Sequence, residues 1–391
     1  MAHVPTIAAR DASGHVTLAG RRLLMLGSND YLGLSTDRDV TKAIAASLQS
    51  FGTGMTIYPV FVVSDEHRAL EEELASFLGV EAVVLTISGG AANAVALTGL
   101  VGDGDLILSD ADNHASAIDA GRLSRASVKP YRSRDTAHLA ELLEATQGQG
   151  KRLVITNGVF SMDGGLAPLA TIAELCALHG AQLVVDDAHA TGVVGPVGRG
   201  SLPACGLSSR LPATFLTGSL SKALGGAGGG FVAGPRAEID GLCTRTRSYI
   251  FTQGMTSAAT AAALAALRKH VANPRIHRAL WRNIDVVRGS AERHGLTLLP
   301  SDSAILTLLV GDEEFAKSLQ ARLLDRDIFA QAMTFPIVPK CAARLRVQPS
   351  AAHQTNELEA AIAVIAEEFK LCECPPNAFL PGTTAKRAKN S

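Results

Sequence analysis

The sequence predicts an α/β protein, in which a large unit with a mostly parallel sheet flanked by helices is followed by a smaller α+β unit. Between about residues 80 and 235, short apolar runs rich in β-branched residues alternate with segments whose apolar residues recur three to four positions apart. This alternation is typical of βαβ units, whose strands lie parallel beneath crossover helices. Ligands of such sheets bind beyond the carboxyl ends of the strands.

Within this region the pattern predicts six strands and four intervening helices. The strands are residues 81–87, 105–110, 152–157, 181–187, 213–218 and 230–234. The helices are residues 91–100, 115–125, 137–146 and 169–180. Two further helical segments, 40–50 and 67–78, precede the region.

The pattern changes near residue 270, where we place a domain boundary. A helix-rich stretch, 257–294, leads into an α+β segment with strands at 303–310 and 343–350 and helices at 314–326 and 356–369. The predicted organisation has four parts: an N-terminal segment 1–35, a large domain 36–270, a small C-terminal domain 271–370 and a disordered tail 371–391.

Composition narrows the classes of partner. Lys and Arg number 36 against 37 Asp and Glu, and 47% of the 391 residues are hydrophobic. This near-neutral balance gives no basic excess for nucleic acid or for a membrane surface, so we expect neither partner. The first residues lack the pattern of a secretory signal, and a cytoplasmic location is expected. The six cysteines show no CxxC spacing and are expected to be reduced, and no metal site is expected.

Polar residues that a strand pattern does not need stand at predicted strand ends. Asp186 closes one strand, and His189 follows three residues later. Lys222 lies in "SLSKALGGAGGG", where glycines let a ligand approach the backbone closely. The segment "SGGAAN", residues 88–93, joins a strand to a helix, and the free N–H groups of a helix start can bind an anion.

Each feature alone has an ordinary structural explanation: a helix cap, a surface lysine or a tight turn. A loose GxGxxA pattern at 228–233 precedes a strand rather than following one, which disfavours a dinucleotide site. Together, the amine, the carboxylate and the anion-binding helix start are what pyridoxal 5'-phosphate (PLP) requires. One cofactor accounts for all three.

Six segments carry a resemblance to a known family, and they occur in that family's order. They are residues 28–35, 109–126, 158–169, 184–200, 219–234 and 343–353, which begin with "SNDYLGLS" and end with "ARLRVQPSAAH". The chain resembles the α-oxoamine synthases, a family of PLP-dependent enzymes. The resemblance implies the PLP-dependent transferase fold type I and a homodimer with its active site at the subunit interface.

The resemblance also implies roles for individual residues. Lys222 would hold PLP covalently and later remove the Cα proton of the amino acid, Asp186 would pair with the ring nitrogen, and His114 would stack on the ring. The remaining contacts are His189 and Ser161 to the phenolic oxygen; Gly89, Gly90, Ser219 and Thr252 of a neighbouring subunit to the phosphate; and Asn29 and Arg346 to the amino-acid carboxylate. Tyr31 is expected to be structural only.

The implied reaction condenses a small α-amino acid with an acyl thioester and releases CO2 and an α-aminoketone. Three alternatives stay open: another PLP reaction such as aldol cleavage, elimination or transamination; a non-catalytic partner subunit; and a nucleotide-binding protein. The second is disfavoured because Lys222, Asp186 and His189 are all present. The third would bind nucleotide and show no yellow chromophore.

The chain also departs from the family pattern in places. Within residues 52–67, Ile57 replaces an arginine, and Val62 and Val63 replace a glycine-threonine step. Gly90 stands where an aromatic residue is usual, and Asn157 where an acidic residue is common. The lead before Asn29 is short, which leaves a donor bound to an acyl carrier protein open beside acyl-CoA. The identities of the amino acid and acyl group are therefore not set by the sequence.

Overall fold

The structure of the protein, a computed structural model, describes residues 5–371. In chain order the strands are β1 Ile7–Arg10, β2 His15–Leu18, β3 Arg21–Met25, β4 Ala82–Thr86, β5 Leu106–Asp110, β6 Ser127–Tyr131, β7 Arg152–Asn157, β8 Gln182–Asp186, β9 Thr214–Ser219, β10 Gly230–Gly234, β11 Leu306–Gly311, β12 Ile328–Phe329, β13 Gln331–Met333 and β14 Ala343–Val347.

The helices alternate with these strands along much of the chain. They are α1 Arg38–Phe51, α2 Asp65–Leu78, α3 Gly89–Leu100, α4 Ala115–Ser124, α5 Thr136–Ala145, α6 Leu169–His179, α7 Ser201–Ala204, α8 Arg236–Arg245, α9 Arg247–Ile250, α10 Ser257–Ala272, α11 Pro274–Arg293, α12 Glu313–Asp325 and α13 Thr355–Leu371. A 3-10 turn spans Pro196–Gly198.

A seven-stranded sheet forms the centre of the molecule, in the order β4-β10-β9-β8-β7-β5-β6. The five strands from β9 to β6 run parallel, and only β10 is antiparallel to its neighbours β4 and β9. The predicted mostly parallel sheet is confirmed, and all six predicted strands are present. Because the strands β7, β8 and β9 are adjacent and parallel, their carboxyl ends meet at one edge.

Alternate residues of these strands enter two separate hydrophobic cores. In β8, Val184 packs into one core, whereas Leu183 and Val185 pack into the other. The same division separates Ile155 from Val154 in β7. Successive side chains of a strand point to opposite faces, so the sheet is covered on both sides, as its continuous apolar runs predict.

One strand of this sheet was missed by the sequence pattern. Strand β6, with the sequence SVKPY, is exposed at four of its five residues and pairs only with β5 at the edge of the sheet. It also contains Pro130, which cannot donate a ladder hydrogen bond and is therefore confined to edge strands. An edge strand needs no buried run, so its sequence carries no apolar signal.

Two smaller sheets complete the fold. The N-terminal strands β1, β2 and β3 continue into β12, which pairs in parallel with β3 through Ile328 and Leu24. The third sheet is antiparallel, in the order β11-β14-β13. The N-terminal segment thus shares a sheet with the C-terminal part of the chain.

The predicted boundary after residue 270 falls in the last turn of α10, and the division into domains stays a prediction. Of the predicted tail, residue 371 ends α13, and residues 372–391 lie outside the described part of the chain. No helix within residues 5–371 is long and apolar enough to cross a membrane. The four cysteines in this range are free thiols.

Candidate active site

A cavity of about 190 Å³ lies at the carboxyl ends of β7, β8 and β9. Eight of the eleven residues that the sequence predicted for the site line this one cavity: Gly89, Gly90, His114, Ser161, Asp186, His189, Ser219 and Lys222. The residues come from the connections that follow strands β4, β5, β7, β8 and β9, and from the last residues of β8 and β9. The sheet topology thus brings together residues that are up to 133 positions apart, between Gly89 and Lys222.

Asp186 is the last residue of β8 and pairs in register with Asn157 of β7 and Thr217 of β9. Its Oδ1 accepts a hydrogen bond from the backbone N–H of Ala188 at 3.1 Å. Its Oδ2 accepts one from Asn93 Nδ2 at 2.8 Å. Both carboxylate oxygens are therefore oriented by donors, and the side chain is held at the cavity wall.

Asn93 is a site residue that the sequence analysis missed. It lies on the first turns of α3, is 1% exposed, and donates from Nδ2 to Ser116 Oγ at 2.9 Å as well as to Asp186. Its Oδ1 accepts the hydroxyl hydrogen of Thr217 at 2.6 Å. The sequence did offer a signal: an asparagine stands within a predicted helix of apolar residues. A polar side chain buried in such a helix needs hydrogen-bond partners.

The predicted anion site lies at the start of α3, where a helix begins as expected. Ser88 is the N-cap, and its Oγ accepts the N–H of Ala91 at 3.1 Å. The N–H groups of the first helical residues, Gly89 and Gly90, have no acceptor within the helix and carry its positive dipole end. A Cβ on Gly89 would approach Ser219 Cβ to 3.0 Å, so a side chain there would crowd the cavity.

His114 is the N-cap of α4. Its Nδ1 accepts the N–H of Ser116 at 3.2 Å and lies 2.8 Å from Ser116 Oγ. His114 thus has the ordinary structural role of a helix cap. Its ring is also exposed and lines the cavity. Through Ser116 and Asn93, His114 belongs to the same hydrogen-bond network as Asp186.

Lys222 follows β9 by three residues and is half-buried in the cavity wall. Burial lowers the pKa of its amine below the ordinary value, and the positive charge of Arg346 lowers it further, whereas Asp186 raises it. A lowered pKa increases the fraction of neutral amine, which is the form that reacts with a carbonyl group and that accepts a proton.

His189 lies on the turn after β8, and its pKa is held well below the ordinary value. Burial is the largest cause, and the positive charges of Lys222 and Arg346 add to it. The ring is therefore neutral. Its Nδ1 lies 2.8 Å from the hydroxyl of Tyr31, a residue that the sequence analysis treated as structural only.

Arg346 and Asn29 adjoin the lined cavity without forming part of its wall. Arg346 is 7% exposed; its Nη1 donates to the carbonyl oxygen of Ser161 at 3.0 Å and its Nη2 to Gln331 Oε1 at 2.6 Å. The buried Nε has no partner among the described residues. Asn29 Oδ1 accepts Gln348 Nε2 at 2.8 Å. A guanidinium with a free buried N–H suits a carboxylate ligand.

Thr252 is the one predicted site residue that lies apart from this group. It follows α9, its N–H donates to the carbonyl oxygen of Tyr249 at 3.3 Å, and it does not line the cavity of its own chain. Its assignment to a neighbouring subunit stays a prediction.

The residues present fit PLP. The cavity offers an amine of lowered pKa, a carboxylate oriented by two donors, and a glycine-lined helix start that a Cβ would narrow. These are the groups needed for covalent attachment, for the ring nitrogen and for the phosphate.

Comparison with known proteins decides the family. The model for class I and II aminotransferases matches residues 21–365. An 8-amino-7-oxononanoate synthase of Symbiobacterium thermophilum is 40% identical over 350 residues, which are 89% of this chain and 88% of the relative. A 2-amino-3-ketobutyrate coenzyme A ligase of Salmonella typhimurium is 37% identical over 351 residues, 89% of this chain and 88% of the relative. The chain belongs to the PLP-dependent α-oxoamine synthase family.

A solved serine palmitoyltransferase structure with PLP agrees with this assignment. It superimposes with a TM-score of 0.90 at 27% identity and covers 94% of this chain and 92% of the solved one. As an α-oxoamine synthase, the chain has the PLP-dependent transferase fold type I, uses PLP and is an enzyme of the acyltransferase kind. The predicted family, fold, cofactor and enzyme class are confirmed, and the nucleotide-binding alternative is wrong.

Proposed function

We propose that the chain condenses a small α-amino acid with an acyl thioester at the cavity around Lys222, with loss of CO2. The observation that carries the proposal is the convergence of Lys222, Asp186 and the start of α3 on one cavity. When bound, PLP supplies an electron sink that stabilises negative charge at the Cα atom of the amino acid.

The residues of the chain have separate tasks in this proposal. Lys222 tethers the cofactor and, once released, accepts the Cα proton at Nζ, which its lowered pKa favours. Asp186 keeps the ring nitrogen protonated, and Asn93 fixes the direction of that carboxylate. Arg346 and Asn29 bind the carboxylate of the amino acid, which orients the Cα–H bond toward Lys222.

The reaction is tested by supplying candidate amino acids and acyl thioesters to the purified chain. We expect free thiol, CO2 and an α-aminoketone to appear in equal amounts. Products formed from the amino acid without any thioester would instead favour aldol cleavage, elimination or transamination, an alternative motivated by the divergent segment around Ile57. Absence of any product with every thioester tried, with cofactor bound, would overturn the proposed condensation.

The acyl donor is tested in the same assay. The segment with Ile57 and Val62 lines a second cavity, of about 170 Å³, together with Met255 and Thr256. The divergence of this segment from the family pattern keeps a donor on an acyl carrier protein in the proposal beside acyl-CoA. Matched acyl groups on CoA and on a carrier protein separate the two, since the better donor will show the lower KM.

We also propose a homodimer in which Thr252 completes the site of the partner. Its support is that Thr252 does not line the cavity of its own chain, and that the chain exposes large apolar side chains: Phe61 is 75% exposed, and Phe251, which precedes Thr252 in the sequence, is 66% exposed. The cytoplasmic location and the absence of nucleic-acid and membrane partners stay predictions from the sequence.

Mixed dimers test this arrangement. A Lys222→Ala chain and a Thr252→Ala chain would each be impaired alone. When equal amounts of the two are refolded together, half of the dimers would contain one site with an intact Lys222 and an intact Thr252, and activity would exceed half that of the Thr252→Ala parent. Activity of half that parent, with mixed dimers verified by two different affinity tags, would show that Thr252 does not act across the interface.

A further inference from the structure

We propose that Tyr31 and Gln348 fix the tautomer of His189, so that Nδ1 accepts a hydrogen bond and Nε2 carries the proton on the side of the cofactor site. Tyr31 and Gln348 are positioning residues in this proposal, which rests on the proposed function of the cavity. Neither residue touches the cavity itself; both act through His189.

The proposal begins from a chain of hydrogen bonds in the interior. Gln348, 1% exposed, lies one residue beyond β14, and its Nε2 lies 2.8 Å from Asn29 Oδ1 and 2.9 Å from the Tyr31 hydroxyl oxygen. Tyr31, also 1% exposed, lies with its hydroxyl 2.8 Å from His189 Nδ1. Residues 319 positions apart in the sequence, Asn29 and Gln348, are thus joined directly.

The direction of each bond follows from the chemistry of the groups. An amide nitrogen can only donate, so Gln348 gives its two hydrogens to Asn29 Oδ1 and to the oxygen of Tyr31. The single hydroxyl hydrogen of Tyr31 must then go to another acceptor. Asn29 Oδ1 is 3.3 Å away, long for an O–H donor, and is already engaged by Gln348, whereas His189 Nδ1 is 2.8 Å away.

The protonation states of both partners agree with this direction. The pKa of Tyr31 is raised, mainly by burial, so the hydroxyl keeps its proton. The pKa of His189 is lowered by burial and by the nearby charges of Lys222 and Arg346, so the imidazole carries one proton only. With Nδ1 occupied as an acceptor, that proton is on Nε2.

The consequence is a fixed donor in the cavity. Nε2 of His189 has no hydrogen-bond partner within residues 5–371, and the ring lines the cavity together with Lys222 and Asp186. A neutral imidazole locked as the Nε2–H tautomer can donate to an oxygen of the cofactor without adding positive charge. Loss of Tyr31 would let the ring exchange tautomers and would weaken that donation.

The direct test is the ring nitrogen signal of His189 in the full chain with its cofactor bound. Nitrogen-15 NMR distinguishes protonated from unprotonated ring nitrogens, and a His189→Gln variant assigns the signal. We expect a proton on Nε2 in the unmodified chain and a mixture of tautomers in Tyr31→Phe. A proton on Nδ1 in the unmodified chain, or an unchanged tautomer in Tyr31→Phe, would overturn the proposal.

Tyr131→Phe is the matched control, because it also removes one buried tyrosine hydroxyl but lies at the end of β6. The second readout is the pH titration of the visible absorption of the bound cofactor. Tyr31→Phe should move its midpoint by about one pH unit, the equivalent of one hydrogen bond. Tyr131→Phe should leave the midpoint in place, and equal shifts in the two variants would count against the proposal.

Two variants of Gln348 separate hydrogen bonding from packing. A carboxylate in Gln348→Glu would accept the Tyr31 hydroxyl hydrogen and divert it from His189, whereas Gln348→Met fills similar space and leaves that hydrogen free. We expect the midpoint to shift in both variants, and more in Gln348→Glu than in Gln348→Met, where His189 Nδ1 remains the nearest acceptor for the Tyr31 hydroxyl. The reverse order would refute the proposal. Because neither readout needs an acyl thioester, failure of the proposed condensation would be visible separately.

Discussion

The side-chain amide of Asn93 donates a 2.8 Å hydrogen bond to Asp186 Oδ2 and so ties α3 to the end of β8. The same helix begins at Gly89 and Gly90, the residues proposed to hold the phosphate. In the proposed arrangement, one helix would therefore position both the phosphate-binding residues and the carboxylate that faces the ring nitrogen. Since both contacts depend on the position of α3, changes at Asn93 should affect cofactor binding.

Replacement of Asn93 by alanine should lower both stability and cofactor affinity. It would leave Asp186 Oδ2 and the Thr217 hydroxyl without their common partner in the interior. We expect the free energy of unfolding to fall by about 1–3 kcal/mol, the cost of an unsatisfied buried polar group. Cofactor affinity should fall about tenfold, measured by titrating PLP into the stripped protein and following its absorption.

Asn283→Ala provides the matched control. Asn283 is equally buried, and its Nδ2 donates to the carbonyl oxygens of Ser350 and His353 at 2.8 and 2.9 Å, away from the cavity. It should destabilise the fold to a similar degree while PLP affinity stays unchanged. If both variants lower PLP affinity equally, Asn93 contributes through general stability alone.

Lys222→Ala should abolish the covalent attachment of the cofactor. Lys222 is the only lysine that lines the described cavity, and its lowered pKa favours the reactive neutral amine. The visible absorption of the tethered cofactor should disappear, and borohydride should no longer fix it to the chain. The condensation rate should drop by at least about a thousandfold, since tethering and proton transfer are both lost. Lys42→Ala, on the exposed face of α1, should retain all three properties.

Arg346→Lys should weaken binding of the amino acid far more than binding of the thioester. An ammonium group cannot donate to the Ser161 carbonyl oxygen, to Gln331 and to a carboxylate in the geometry of a guanidinium fork. The KM for the amino acid should rise about tenfold or more, with a change of less than about twofold for the thioester. Arg344→Lys, two positions earlier on β14 and bonded to the Met162 carbonyl oxygen, should change the KM for the amino acid little. Equal effects of the two variants would argue against a carboxylate site at Arg346.

Asp187→Asn should change how stability depends on pH. Burial raises the pKa of Asp187 to about 6 from 3.8, although the side chain accepts hydrogen bonds from Thr191 Oγ1 at 2.9 Å and the Ser201 N–H at 3.2 Å. Between these two values the folded chain binds a proton that the unfolded chain has released, so this group makes the fold less stable as pH rises from about 4 to 6.

The size of that effect is set by the difference of about two units between the pKa of Asp187 in the folded and in the unfolded chain, which corresponds to about 3 kcal/mol. Between pH 4 and 6, we expect the free energy of unfolding of the unmodified chain to fall by this amount relative to that of Asp187→Asn. Denaturant unfolding at each pH measures the difference. Above pH 6 the difference should stay constant. Asp103→Asn, at an exposed position, should follow the unmodified chain, and parallel curves for Asp187→Asn would disprove the assignment.

The predicted strands and helices that are present in the structure are those whose burial produces a local pattern of apolar residues in the sequence. Strands such as β7 and β8 are continuous apolar runs because both faces of the sheet are covered. The pattern missed β6 because an edge strand buries little. It also missed β1 to β3, which are short and mixed in polarity, and whose sheet is completed by β12 some 300 residues later.

The site residues likewise fall into those that the sequence could predict and those that it could not. Lys222, Asp186 and His189 could be placed from the sequence because each stands in a short motif directly after a strand, and the carboxyl ends of adjacent parallel strands must meet. Asn93 and Gln348 escaped because their importance comes from partners in distant segments. An asparagine inside an apolar helix indicates that hydrogen-bond partners are needed, but neither it nor a glutamine beyond a strand indicates which distant residues those partners are.

By itself, the sequence determined which residues end the strands, which helix starts can hold an anion, and therefore the class of chemistry at one edge of the sheet. The tertiary structure decided how those groups are oriented: Asn93 aims the carboxylate of Asp186, and Gln348 with Tyr31 sets the direction of the hydrogen bond to His189. The reason is physical. Periodicity and turn chemistry act between near neighbours in the chain, whereas the direction of a buried hydrogen bond depends on which donor the folded chain brings within 3 Å.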